Sequence, residues 1–304
     1  MVAAVVLREW GPPEVLVPAQ VEVGAPGPGQ VRIDVRFAGV GPTDLAIRAG
    51  HLPGAFGSGP GSVLGFEVAG VVESVGDGVV DVRPGDAVAA FLPELGGYAE
   101  QVLARHWVRI PDGVDLQDAA ALPASGEAAA RVVEETRIAP GETVLVVGAA
   151  GSVGQVATQL AVARGARVLG VARVQDATLV ESMGAEPVAS GPGLAARVRA
   201  LVPAVDAVID ASGAGILADA VDLAGGTERV VTLSDPAAAQ AGVRLSGPDG
   251  PRVADRLATV MALLADGRLR LRARTTAPLA EAAAVHRDLE SGAVRAKVLL
   301  VVGG

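Results

Sequence analysis

The sequence predicts a two-domain α/β protein: a β-rich first domain, then a doubly wound parallel sheet with helices on both faces. Three observations carry this expectation. Up to about residue 110, short stretches of alternating apolar and polar residues lie between Gly-Pro clusters. From Asp115 onward, helical runs alternate with short β-branched strands. Within that second part a strand, a glycine turn and a helix succeed one another without a charge.

In the first part, Val31–Phe37 alternates as a half-buried strand does, and Val68–Gly76 and Asp86–Phe91 are further short strands. Gly-Pro clusters at Gly24–Gly29 and His51–Gly61 mark turns between them. The second part opens with a helical run over Asp118–Glu135. Strands follow at Thr143–Val147, Arg167–Val171, Glu186–Ala189, Val205–Asp210 and Glu228–Leu233. Such alternation is the mark of βαβ units. A last helix over Leu279–Leu289 and a strand over Lys297–Val301 close the chain. That helix could cap the parallel sheet, or that strand could return to the first domain.

Composition removes several classes of function. The 304 residues contain no cysteine, which excludes disulfides, thiolate-bound zinc, iron–sulfur ligation and a cysteine nucleophile. Three histidines at wide spacing make a histidine-built metal site improbable. A net charge of −9 without a basic stripe, and aromatics at 2%, argue against a nucleic-acid partner. The start has no basic region before its apolar run, so no signal peptide is expected. Thr143–Ala163 is uncharged for 21 residues, long enough to span a bilayer, yet its glycines and glutamines fit strand, turn and helix better. A cytoplasmic protein without a membrane partner is the expectation.

The most specific local feature is Gly148-x-x-Gly151-x-x-Gly154 after the Thr143–Val147 strand and before an amphipathic helix. Dinucleotide binding needs this arrangement. The turn must be tight, the backbone must approach a diphosphate without a Cβ in the way, and the phosphate sits at the positive end of the helix. An acid ending the second strand binds the ribose hydroxyls of NAD, whereas an arginine accommodates the 2′-phosphate of NADP. Here that strand ends without an acid, Arg173 follows, and Asp176 stands nearby, so NADPH is the expected cofactor.

These residues, together with Gly39–Asp44, Leu64–Val72, Arg83–Val88, Gly96–Glu100, Asp118–Pro123 and Pro140–Val146, resemble the zinc-independent quinone oxidoreductase branch of the medium-chain dehydrogenase/reductases. The resemblance covers nearly the whole chain. It implies a GroES-like domain formed by residues 1–113 together with 275–304, and a Rossmann NADP-binding domain over 114–274. It further implies hydride transfer from NADPH to a small, hydrophobic, carbonyl-conjugated substrate, and a homodimer joined through the Rossmann domains. The cofactor-binding set expected from the turn and the resemblance is Gly148, Ala150, Gly151, Ser152, Val153, Gly154 and Arg173, with Ser212, Gly213, Ser234 and Lys297.

Departures from the family pattern bear on substrate. Gly41 stands where relatives usually carry Asn, Leu52 where a Tyr is frequent, Ala128 where a Thr is usual and Asp176 where a Lys is frequent. No metal is expected, because no Cys replaces the zinc ligands of other relatives. Thr43 and His51 are the candidate catalytic residues, Thr43 as a hydroxyl beside the developing oxygen and His51 in the Gly/Pro-rich loop. Two other readings stay open: a cyclase or isomerase of a polyketide-like intermediate, and an NADPH-binding protein without turnover.

Overall fold

The computed structural model describes residues 1–248 and 250–303. In chain order β1 (Val2–Leu7), β2 (Leu16–Val21), β3 (Val31–Val40), α1 (Pro42–Arg48), β4 (Glu67–Val75), β5 (Ala87–Phe91), β6 (Gln101–Ala104), β7 (His106–Arg109) and α2 (Leu116–Ala120) build the first part. Next come α3 (Pro123–Glu135), β8 (Thr143–Val147), α4 (Ser152–Ala163), β9 (Arg167–Ala172), α5 (Ala177–Ser182), β10 (Glu186–Ala189) and α6 (Leu194–Arg199). They are followed by β11 (Ala207–Asp210), α7 (Leu217–Ala224), β12 (Val230–Thr232) and β13 (Arg244–Leu245). The chain ends with α8 (Val253–Ala265), β14 (Arg274–Pro278), α9 (Ala282–Ser291) and β15 (Lys297–Val301).

The chain divides into two compact units: Met1–Ala124 with Val253–Arg268 and Ala273–Gly304, and Ser125–Arg252 with Leu269–Arg272. The first holds the sheet β14-β15-β3-β4-β5-β7, with β6 also on β3, and the separate antiparallel pair β1-β2. Its last strand settles the alternative left by the sequence: β15 pairs antiparallel with β3, Leu299 opposite Gly39. Alternation puts Val31, Ile33 and Val35 of β3 into the core with Val68, Val88 and Leu300.

The second unit is a six-stranded sheet, β10-β9-β8-β11-β12-β13, and all its pairings are parallel. Its strands are nearly continuous apolar runs because helices cover both faces. The uncharged 143–163 stretch is indeed strand, turn and helix, and among the described residues no helix is long and apolar enough to cross a membrane.

Two sequence expectations change. The run over Asp118–Glu135 is two helices: Pro123 starts α3, and a proline disfavours helical geometry in the residue before it. Residues 114–124, 253–268 and 273–274, expected in the second domain, fall in the first unit, where Val253 and Leu257 of α8 join its core.

Candidate functional site

In the second unit, β8 lies at the centre of the sheet with β9 on one side and β11 on the other. The connection from β8 runs to β9 on one side and that from β11 runs to β12 on the other, so the winding reverses between β8 and β11, and a crevice opens there beyond the carboxyl ends of the strands. It measures about 380 Å³ and is lined from four strand ends: Val147 and Gly148, Ala172 and Arg173, Ser190 and Gly191, Ala211 and Ser212. Ala150, Gly151, Asp176 and Arg272 also line it.

The glycine turn makes one wall. Gly148 takes φ +80°, a left-handed conformation that favours glycine. Its N–H and that of Ala149 donate to the Val171 carbonyl at 3.0 Å, fixing the turn to β9. A Cβ on Gly154 would lie 2.1 Å from the Gly148 carbonyl oxygen, so the start of α4 can press on the turn only without a side chain. Among the described residues, the backbone N–H groups of Ala150, Ser152, Val153 and Gly154 donate to no protein acceptor. Free donors at the positive end of a twelve-residue helix suit a diphosphate. Gln155 Nε2, which the sequence reading did not single out, donates to the Ala150 carbonyl at 3.0 Å and braces the turn from within the helix.

Arg173 and Asp176 stand at the carboxyl end of β9, where the adenosine ribose of a dinucleotide lies in this architecture. Arg173 Nε donates to Asp176 Oδ2 at 2.9 Å in a half-exposed pair. On the other side of β8, the buried Asp210 organises the loop after β11. Its Oδ1 accepts the Ser212 N–H (3.0 Å), the Ser212 hydroxyl (2.7 Å) and the Gly213 N–H (3.2 Å), while Oδ2 accepts the Thr232 hydroxyl at 2.9 Å. Sequence reading named Ser212 and Gly213 but not Asp210, although Asp-x-Ser-Gly after a strand is the signal of such a side-chain turn. A Cβ on Gly213 would meet the Ser234 hydroxyl at 2.6 Å, so Gly213 and Ser234 are neighbours beside the crevice. Gly148, Ala150, Gly151, Arg173 and Ser212 of the expected set thus converge on one crevice, with Ser152, Val153 and Gly154 in the adjoining helix turn.

Lys297 is different. It lies on β15 in the first unit, buried, with its ammonium paired to the Glu67 carboxylate and donating to the Val40 carbonyl at 2.9 Å. That burial and those two partners give it a place in the first unit's interior, and the crevice lining does not include it. Glu67 in turn accepts the Ala124 N–H at 2.8 Å, and a Cβ on Gly39 would strike its carboxylate.

Thr43 sits half-buried in the first turn of α1, and its hydroxyl makes no hydrogen bond among the described residues. His51 is exposed in the bend after that helix. Between them, Asp44 is fully committed: Oδ2 accepts the Gly41 N–H at 2.8 Å and Oδ1 the Gly65 N–H at 3.0 Å. Burial pushes its carboxyl up to about 7, against the pull of those hydrogen bonds and of Lys297. Tyr98, the single tyrosine, is buried, and its hydroxyl lies 3.2 Å from His286 Nε2. Among the described residues no group of three or more His, Asp or Glu side chains could hold a metal ion.

Comparison with known proteins agrees with this architecture. The family profile of the alcohol dehydrogenase GroES-like domain matches residues 27–112, and that of the zinc-binding dehydrogenase matches residues 183–300. A 2-haloacrylate reductase from Burkholderia sp is 38% identical over 181 residues, covering 58% of this chain and 54% of the relative. A quinone oxidoreductase from Rattus norvegicus is 40% identical over 178 residues, covering 57% and 53%. The matched stretch spans about half the length of these curated relatives. A solved quinone oxidoreductase from Pseudomonas syringae pv. Tomato DC3000 superposes with a TM-score of 0.85 at 30% identity, over 99% of this chain and 100% of that one. The chain belongs to the medium-chain dehydrogenase/reductase superfamily, in its quinone oxidoreductase branch.

Proposed function

We propose that this protein is an NADPH-dependent reductase of quinones, enones or enoyl thioesters. The observation that carries the reading is the crevice at the sheet's switch point, with four backbone N–H groups around the α4 N-terminus that are unpaired among the described residues. When bound, the nicotinamide supplies a hydride to an activated C=C or quinone.

The chain's own residues do the rest. The N–H groups of Ala150, Ser152, Val153 and Gly154 hold the diphosphate, and the Gly148 and Gly154 backbones let it approach. Arg173, paired with Asp176, has guanidinium N–H groups left to donate towards the 2′-phosphate side of the adenosine ribose. Ser212, kept in place by Asp210, gives the opposite lip of the crevice a hydroxyl. In the first unit the free hydroxyl of Thr43 is the group available to a developing enolate or hydroquinone oxygen. With Gly41, Leu52 and Ala128 carrying no donor side chain, water delivers the proton to that oxygen or carbon. His51, exposed in its loop, is the alternative donor. The protein acts as a homodimer in this reading, which sedimentation in solution checks.

The test is isotopic. NADPH carrying deuterium at both C4 positions is incubated with the protein and a simple enone. The reduced product should carry one deuterium at the carbon β to the carbonyl. Product without deuterium, or enone consumed without NADPH, refutes the proposal.

A further inference from the structure

The corner of the crevice beyond β9 holds a second cation besides Arg173. Arg272 lines the same crevice, is half-buried, and has no hydrogen bond or ion pair among the described residues. Its neighbours are visible in its charge balance: burial lowers its affinity for the proton, the Arg173 cation acts in the same direction, and Asp176 opposes both. The corner therefore contains two guanidinium groups and one carboxylate. Arg173 is already held by Asp176 at 2.9 Å, so the cation left without a partner is Arg272. A guanidinium stays charged at any ordinary pH, and leaving one half-buried and unpaired is costly.

Arg272 does not reach this corner by chance of a loose loop. The segment Leu269–Arg272 joins the second unit although α8 before it and β14 after it belong to the first. Leu269 is buried, and the side-chain amide of Gln159 clasps the next residue on both sides. Gln159 Nε2 donates to the Arg270 carbonyl at 2.9 Å, and the Arg270 N–H donates to Gln159 Oε1 at 2.8 Å. Gln159 lies on α4, the helix that begins at the glycine turn. One helix thus presents the diphosphate donors at its start and, two turns later, anchors the segment that carries the free arginine.

We infer that Arg272, positioned by the Gln159 clasp, is the main determinant of NADPH over NADH, with Arg173 secondary because Asp176 already neutralises it. The inference rests on the dinucleotide reading of the crevice and names the group that selects within it. The ligand feature recognised is a phosphate monoester on the adenosine ribose, which a planar guanidinium binds through two parallel hydrogen bonds. Asp176, which alone would favour free ribose hydroxyls, is balanced by Arg173 and leaves the unpaired charge of Arg272 to decide.

The experiment titrates the full chain with NADPH and with NADH by cofactor fluorescence, in wild type, Arg272→Ala, Arg272→Lys, Gln159→Ala and Arg173→Ala. Arg272→Ala should weaken NADPH roughly ten- to hundred-fold, the range of a charged hydrogen-bonded contact, and leave NADH unchanged. Arg272→Lys should keep part of the preference, since a charge remains but the fork is lost. Gln159→Ala should lose NADPH selectively as well, and Arg173→Ala should have the smaller effect of the two arginine variants. A thermal melt of each variant separates misfolding from loss of recognition, and a purely structural role would move both cofactors together. An unchanged NADPH-to-NADH ratio in Arg272→Ala, or a larger loss in Arg173→Ala, overturns the assignment while the dinucleotide reading stands. If wild type binds neither cofactor, the dinucleotide reading itself falls.

Discussion

Replacing Gly154 by Ala probes the cradle where the fold and the site share one contact. The new Cβ would lie 2.1 Å from the Gly148 oxygen, 2.7 Å from the Gly148 carbonyl carbon and 2.9 Å from Ala149 Cα. All three are backbone atoms, so no side chain can swing away, and the helix start must retreat from the turn by about 1 Å to restore ordinary contact. Overpacking of this kind costs about 1–3 kcal/mol. Alanine recovers up to about 1 kcal/mol of helix propensity, so with full recovery the net loss should be up to about 2 kcal/mol. That corresponds to a melting temperature lower by up to roughly 8 °C. The larger effect falls on binding, because the N–H groups retreat with the helix. Losing one charge-assisted hydrogen bond to the diphosphate costs about 1.5–3 kcal/mol, which is roughly ten- to hundred-fold in affinity. Gly151→Ala is the control: its φ is −78° and its nearest neighbour is the Gly148 oxygen at 3.2 Å. It should melt within about 1 kcal/mol of wild type. Calorimetry and NADPH titration of both variants give the answer. Wild-type melting and wild-type affinity in Gly154→Ala would refute the close-approach argument.

Further outcomes follow from the first unit. Burial, reinforced by the Arg48 cation, depresses His286 to about 3, so it is neutral in the fold; its Nδ1 has no hydrogen-bond partner among the described residues. Its folded value lies below its ordinary 6.5, so the stability it contributes is complete above that pH and is lost as pH falls towards 3. The unfolding free energy of wild type should therefore drop by about 1.4 kcal/mol per pH unit in that window from this group. A His286→Leu variant should lack that component, and an identical slope in both proteins would remove His286 from the account. Lys297→Met leaves the buried Glu67 carboxylate without its cation and should cost about 3–5 kcal/mol in denaturant unfolding. In the fraction that remains folded, NADPH affinity should be that of wild type; a selective loss of cofactor at normal stability would return Lys297 to the cofactor set. Prolonged chelation should change neither melting temperature nor turnover, and a stoichiometric metal in the purified protein contradicts that expectation.

The parts of the fold written in local pattern were legible before any coordinates. Thr143–Val147, Glu186–Ala189 and Lys297–Val301 are observed at the expected residues, because short apolar runs between turn residues have few other uses. The glycine turn was legible for the same reason: its spacing, strand and helix are contiguous. The β1-β2 pair was not, since VAAVVL shows no alternation and its partner lies beyond a Gly-Pro turn. The split at Pro123 was hidden by the alanine-rich helical run on either side. Long-range partners were hidden most. Gln159 and Arg270 are 111 residues apart, and Asp210 and Thr232 22 apart, so nothing local marks either pair. Arg272 sits among several arginines between Arg268 and Arg274, and only the crevice singles it out.

The central claim is net reduction at the expense of NADPH. Its most direct test is the consumption of NADPH absorbance by the purified chain against a panel of quinones, enones and enoyl thioesters. NADPH should be stable with the protein alone and be oxidised, mole for mole with product, when at least one member of the panel is added. NADPH that binds tightly yet is oxidised by none of these acceptors would contradict it.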